Sequence, residues 1–561
     1  MVDVVVVGSG AAGMSAAITA ARNGMSVVLI EKSDRWGGST ARSGGGIWIP
    51  GNDILAREGG PDSRDDARRY LHDLAGDVVV PERIDAYLDH GAQALRALCE
   101  WAPLDLMWVK GYSDYLPERP GGRAAGRSVE PRPFDVRRLG DDFATMEPFY
   151  TKTPLNVVVH QGDYKWLSTG TRHWRGPQRM LRIGARTMLA KARGRKLVGM
   201  GGALVAALMV GVRDAGVDVR LGCGVTDFIL DSAGDRPRVA GVTLDDGSTV
   251  TASCGVIVCS GGFDHNPQLR KRFHRAPAGP ELSLGAASNT GELIVAATAI
   301  GAATDLMDDA WWAPSIPLPN GPWFALAERS LPRSIVVNDR GVRFMNESLP
   351  YVEATHAMFG GPHGSGDGPA ENLPAWLIFD QGYRDRYMFA GRTARSPLPA
   401  RWFDDGYLTR ADSITELAQR LSLPEGALEN TISRFNDAAR SGVDDEFGRG
   451  ESAYDRYYGD ITNKPNPGLG ELTRPPFYAA PLVPADLGTK GGIVTDERAR
   501  ALRADGTVID GLYAAGNASS AVMGHTYAGP GATIGPALVF GYLAAVDIVA
   551  AATIRKPGAT R

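Results

Sequence analysis

"VVVVGSGAAG", residues 4–13, joins four β-branched residues to three glycines at GxGxxG spacing. Such an apolar run ending in a glycine turn predicts a strand buried on both faces of a parallel sheet. Residues 11–23, "AAGMSAAITAARN", carry small and apolar residues at helical spacing, and "MSVVLIEK", residues 25–32, predicts a second strand, completing a β-α-β unit. In that setting Gly8 permits the tight turn, Gly10 lets the backbone approach a pyrophosphate, and Gly13 lets helix and strand pack closely. Ser9 and Ala12 belong to the same phosphate-binding turn, at a helix amino terminus whose unpaired N–H groups favour an anion. Glu31, eighteen residues after Gly13 with Lys32 beside it, is placed to bond a ribose hydroxyl.

NAD and FAD share this fingerprint. Residues 31–52, "EKSDRWGGSTARSGGGIWIPGN", supply Ser39, Thr40, Ser43, Gly44, Gly45 and Gly46 as a second glycine-rich loop. A flavin's extended ribityl chain and ring system need that close backbone lining, so FAD is the expected cofactor. Two further apolar runs, "CGVIVCSGGF" at 254–263 and "GLYAAGNAS" at 511–519, predict strands whose small terminal residues, Gly261, Gly516 and Asn517, face the cofactor.

Working outward, the chain of 561 residues carries 60 Lys+Arg against 64 Asp+Glu, a net charge of -4 without long like-charge blocks. That balance lacks the basic footprint of a nucleic-acid binder. The four cysteines, Cys99, Cys223, Cys254 and Cys259, contain no CxxC pair, and "MVDVVVVGSG" lacks the features of a secretory signal; both point to the cytoplasm. "LVGMGGALVAALMVGV", residues 197–212, is shorter than the ~18 residues a membrane span needs and predicts a buried helix, with peripheral membrane contact as the alternative. His160, His265 and His525 stand without spaced partners, and no metal site is expected.

The expected fold is α/β: a Rossmann-like FAD-binding domain made from both chain ends, 1–285 and 480–561, with an α+β catalytic domain inserted at 286–479. Trp311, Trp312, Trp323, Phe324, Tyr351, Phe359 and Trp376 give that insertion an aromatic-rich surface. Residues 360–372 predict a surface loop, and 440–476 a polar loop or lid.

The sequence resembles the flavoprotein family that contains fumarate reductases and 3-ketosteroid dehydrogenases. The resemblance lies in "GGSTARSGGG" at 37–46, "CSGGFDHN" at 259–266, "NTGELIVAATAIGA" at 289–302, "VNDRGVRFMNES" at 337–348 and "GLYAAGNAS" at 511–519. It implies FAD, held covalently or noncovalently, and redox chemistry at a carbon–carbon bond. Within "VNDRGVRFMNES", Arg343 and Glu347 are expected to pair locally.

"GHTYAGPGATIGPALVFGY", residues 524–542, separates the branches. A dicarboxylate calls for arginine, yet no arginine lies between Arg503 and Arg555, which weakens a fumarate-reductase-like reading. A neutral carbonyl instead suits the Tyr527 phenol and the Gly531 N–H, both aimed at an oxygen that gains charge on enolisation. The helix expected to begin at Gly531 and to include Ile534 adds its positive end to that site and to the flavin.

"TYAGPGATIGPA", residues 526–537, is similar to 3-ketosteroid Δ1-dehydrogenases. That likeness implies 1,2-dehydrogenation of a 3-ketosteroid in steroid catabolism, with hydride passing from C1 to flavin N5 and electrons leaving to a quinone-like or protein acceptor. It further implies that Tyr527 and Gly531 polarise the C3 ketone, that Tyr351 removes the C2 proton, and that Tyr115, with Tyr112 as rival, hydrogen-bonds Tyr351. An unperturbed tyrosine, with a pKa of about 10, is a weak base, so the partner is expected to favour the phenolate. Alternatives are a Δ4-(5α)-dehydrogenase, an unsaturated-acid reductase and a flavoprotein that only relays electrons.

Overall fold

The computed structural model describes residues 1–60, 62–150, 158–232 and 237–555. Val2–Val7 is the central strand of a mostly parallel sheet ordered Arg500–Leu502, Val508–Ala514, Thr249–Val258, Val2–Val7, Val27–Ile30, Asp218–Arg220. Val5 registers with Val28 on one side and Val256 on the other. Val4 to Val7 are buried, as a strand covered on both faces requires. Arg500–Leu502 runs antiparallel at one edge, and the strands Val225–Asp231 and Arg238–Leu244 extend Thr249–Val258 into an antiparallel meander.

The helix Ala11–Arg22 packs against Ile534–Arg555, which also lies on Pro81–Trp101. The first crossing is close: a Cβ on Gly541 would collide with the Ala12 carbonyl. Residues Ile534–Ile554 are long and apolar enough to cross a membrane, but half of that length is buried inside the protein. Met200–Asp214 is a buried helix, as expected of residues 197–212.

The second sheet is antiparallel, ordered Gly321–Phe324, Ala310–Leu318, Phe477–Thr489, Ala375–Asp380, Ser334–Asn338, with Thr409–Ala411 also paired to Phe477–Thr489. The expected boundary at 479/480 falls inside the strand Phe477–Thr489. The 286 boundary also moves, because Leu293, Ala296 and Ala297 of helix Glu292–Ala299 pack into the core of the first sheet. Sheet pairing therefore places the insertion at 310–489.

Residues 440–476 are not a detached lid. Arg343 bonds Glu347 at 2.8 Å and reaches Asp444 at 2.7 Å, while Arg449 bonds Glu347 at 2.9 Å, all buried. The expected local pairing of Arg343 and Glu347 is thus part of a larger ion cluster that clamps this segment to the insertion. Counter-charges on each side offset desolvation that a lone buried ion would carry unrelieved. The segment also contains the helix Ala453–Tyr458, which turns Tyr454 and Tyr457 into the core.

Candidate active site

A cavity of about 510 Å³ lies where the two sheets meet, within the size range of ligand pockets. Gly8, Ser9, Gly10, Ala12, Glu31, Lys32, Ser39, Thr40, Ser43, Gly44, Gly45, Gly46, Gly261, Gly516, Asn517 and Ile534 line it. Gly13 does not. A Cβ there would strike the Gly8 carbonyl, so its part is to close the turn against the helix.

The cradle fits a dinucleotide. Gly10 offers the helix Ala11–Arg22 no capping side chain of its own and the first turn carries no acid; Thr40 Oγ1 accepts the Ala11 N–H at 3.1 Å and is the nearest foreign atom to a notional Cβ on Gly10, at 3.6 Å. Glu31 accepts the Ser9 N–H at 2.9 Å and the Ser9 hydroxyl at 2.7 Å, tying the second strand to the phosphate turn. Ser39 Oγ accepts Asn289 Nδ2 at 3.0 Å, and Asn517 Oδ1 accepts Trp311 Nε1 at 3.1 Å. These bonds hold the flanking loops before any ligand enters. FAD is the cofactor these residues would hold, and it supplies a hydride acceptor.

Three expected tyrosines converge at one end of the cavity. The Tyr115 hydroxyl donates to Tyr351 Oη at 3.1 Å. Ring centroids separate Tyr115 from Tyr351 by 5.4 Å, Tyr115 from Tyr527 by 5.0 Å and Tyr351 from Tyr527 by 5.3 Å, all edge to face. Tyr527 Oη lies 3.3 Å from Thr533 Oγ1 and also takes a hydrogen bond from the Gly531 backbone. Phenol and amide donors are therefore adjacent, the two groups an oxyanion site draws on.

The helix itself begins at Ile534, three residues later than expected, after a turn whose Gly531 carbonyl accepts the Gly535 N–H at 2.9 Å. Gly531 has φ +96°, and a Cβ there would collide with Gly46 of the flavin loop. Strain at such a position costs about 1–3 kcal/mol. We therefore expect Gly531→Ala to lower the flavin content of the purified protein and to reduce turnover at least about tenfold. Flavin absorbance and steady-state rates check this together.

Tyr115, Tyr351 and Tyr527 are 2%, 5% and 4% exposed. Burial raises all three pKa values, those of Tyr115 and Tyr351 well above 10. The Tyr115 hydrogen bond lowers the value for Tyr351, but burial outweighs it. The partner thus acts in the expected direction, favouring the phenolate, while desolvation of the anion is the larger effect.

Tyr112 is not a substitute for Tyr115 but its neighbour, with ring centroids 6.5 Å apart. Trp311, Trp323 and Phe324 line the cavity, whereas Trp312 and Phe359 pack together at 5.1 Å away from it. The reading of the sequence missed Tyr457 and Tyr458 on the cavity wall and Tyr454 against Tyr115, although "YDRYY", residues 454–458, concentrates three tyrosines in one helical turn. His525 is partnered rather than isolated: Asp309 bonds its Nδ1 at 3.0 Å and Lys490 Nζ at 3.1 Å. No group of three or more metal-ligating side chains occurs among the described residues.

Fold and cradle define a flavin-dependent oxidoreductase, and residues 3–534 match the FAD binding domain family. The chain is 57% identical to 3-oxosteroid 1-dehydrogenase of Mycolicibacterium smegmatis, over 99% of this chain and 98% of that one. It is also 57% identical to 3-oxosteroid 1-dehydrogenase of Mycobacterium tuberculosis, over 97% and 98%. The crystal structure of 3-ketosteroid Δ1-dehydrogenase from Sterolibacterium denitrificans in complex with 1,4-androstadiene-3,17-dione superposes with a TM-score of 0.91 at 36% identity, covering 98% of this chain and 99% of that one. The chain belongs to the 3-oxosteroid 1-dehydrogenase family of FAD-binding flavoproteins.

Proposed function

We propose that the protein catalyses FAD-dependent 1,2-dehydrogenation of 3-ketosteroids. The observation that carries this reading is the meeting of Tyr351, Tyr115, Tyr527 and Gly531 at the tyrosine end of the flavin-lined cavity. Tyr527 and Gly531 donate to the C3 carbonyl oxygen, which acidifies C2. Tyr351 takes the C2 proton, and Tyr115 donates to Tyr351. Trp311, Phe324 and Leu487 offer apolar walls to a steroid.

The test uses flavin-loaded protein, an artificial electron acceptor and either 4-androstene-3,17-dione or 5α-androstane-3,17-dione, with products identified by NMR. A new C1–C2 double bond supports the reading. A C4–C5 double bond formed only from the 5α-steroid assigns the Δ4 reaction instead.

The electron acceptor in this proposal is quinone-like or a protein. The helix Arg175–Ala192 exposes Leu181, Met188 and Leu189 together with Arg182, a surface suited to peripheral contact with an anionic membrane. Sedimentation with anionic lipid vesicles tests that contact. All four cysteines are free, which supports a cytoplasmic setting.

A further inference from the structure

Two groups that must act together on the steroid come from separate elements. Tyr351 opens the helix Tyr351–Phe359, and Tyr527 lies in the turn at 524–531 that precedes the last helix. Taking a proton from C2 while charge collects on the C3 oxygen requires both at a fixed spacing, and a displacement of about 1 Å costs about a hundredfold. Edge-to-face contact between the two rings resists such a displacement only weakly.

A buried carboxylate ties the two elements together. Asp309 is 2% exposed, and its Oδ1 accepts the Nε2–H of His356, on the Tyr351 helix, at 3.0 Å. Its Oδ2 accepts the Nδ1–H of His525, two residues before Tyr527, at 3.0 Å and the Lys490 ammonium at 3.1 Å. That ammonium, fully buried, also donates to the His525 carbonyl. Burial alone would lift the Asp309 carboxyl, but Lys490, His356 and His525 outweigh it and hold it well below the usual carboxylate range. Asp309 therefore stays ionised at neutral pH and accepts from all three donors.

The anchor belongs to the second sheet. Asp309 and Lys490 stand at adjoining ends of the paired strands Ala310–Leu318 and Phe477–Thr489, where the Lys490 backbone N–H donates to the Asp309 carbonyl at 3.1 Å. Trp311, two residues along, places its ring 5.0 Å from the Lys490 ammonium and 4.9 Å from the Tyr527 ring. None of Asp309, Lys490, His356 and His525 lines the cavity, so any effect they have on the reaction passes through the groups that do.

We propose that Asp309 is a positioning residue for the dehydrogenation, its two oxygens bracing the helix of the base and the turn of the oxyanion donor at one spacing, with Lys490 as its counter-charge. The proposal rests on the reading of Tyr351 as base and Tyr527 as donor to the C3 oxygen. An asparagine could not replace it: one carbonyl oxygen serves one side, and the amide N–H would face another N–H on the other. The histidines are used through different nitrogens, which makes them separable. An asparagine amide can stand in for Nδ1 of His525 and a glutamine amide for Nε2 of His356, whereas leucine fills the space and donates nothing.

The test measures kcat and KM with 4-androstene-3,17-dione for flavin-loaded Asp309→Asn, His525→Asn, His525→Leu, His356→Gln and His356→Leu. We expect kcat of Asp309→Asn to fall about tenfold to a hundredfold, with KM within about threefold of wild type. Each leucine variant should lose about tenfold in kcat, and its amide counterpart should recover to within about threefold of wild type. In a Tyr527→Phe background His525→Leu should cost less than about twofold, since the hydroxyl it helps to aim is gone. Asp309→Asn within about twofold of wild type, leucine and amide variants that behave alike, or an equal His525→Leu loss in both backgrounds overturns the brace and leaves the parent reading intact. The histidine variants decide alone where Asp309→Asn does not hold its flavin. A wild type that forms no C1–C2 double bond, or Tyr527→Phe with full flavin and unchanged kcat, overturns the parent reading, and the brace with it.

Discussion

Tyr527→Phe is expected to keep its flavin and to lose about two to three orders of magnitude in kcat, the usual cost of deleting one oxyanion donor. The reasoning starts from packing. The ring sits 5.0 Å from Tyr115, 5.3 Å from Tyr351 and 4.9 Å from Trp311, and phenylalanine preserves each of these contacts. Only the hydroxyl is lost, leaving the Gly531 N–H as sole donor to an oxygen that charges as C2 loses its proton. The loss should fall on kcat more than on KM, because the neutral ketone of the ground state needs the donor far less than the enolate does. Steady-state rates alongside the flavin spectrum decide the matter: full flavin with unchanged kcat removes Tyr527 from the mechanism.

Tyr351→Phe should cost about two to four orders of magnitude, the range for loss of a positioned general base. It carries a distinct signature in pH. Burial holds the Tyr351 hydroxyl well above the ordinary tyrosine value, so the active, deprotonated form is scarce at neutrality and grows as protons are withdrawn. Wild-type kcat/KM should therefore climb with pH and still be climbing near pH 10. In the phenylalanine variant the residual rate should lose that slope. A wild-type profile flat from about pH 7 to about pH 10 argues for some other base, whatever the variant does.

The dinucleotide cradle was legible in the sequence because its constraints are local. Gly8 and Gly13 are demanded by backbone contacts within a few residues or with the neighbouring strand, and such needs print themselves as spacing. Tyr527 was legible for a similar reason, being enclosed by the glycines that shape its turn. Tyr458 was not, since it reaches Tyr112 across 346 residues of chain, and no periodicity records a contact of that kind. Nor could spacing foretell the acidity of Tyr351, which depends on how completely three separate segments exclude water. The insertion boundary failed for a related cause: Phe477–Thr489 reads as a plain apolar run, and only its partners reveal which sheet it joins.

The tyrosines are drawn from four distant parts of the chain: 112 and 115, 351, 454 to 458, and 527. Between them in the chain stand the whole second sheet and the ion cluster of Arg343, Glu347, Asp444 and Arg449. A chain clipped before residue 351 would keep the amino-terminal nucleotide turn and Tyr115 yet lack Tyr351, Tyr527 and Gly531. The dehydrogenating site proposed above is thus a property of the whole chain, since no contiguous stretch of it carries Tyr115, Tyr351 and Tyr527 without the second sheet between them.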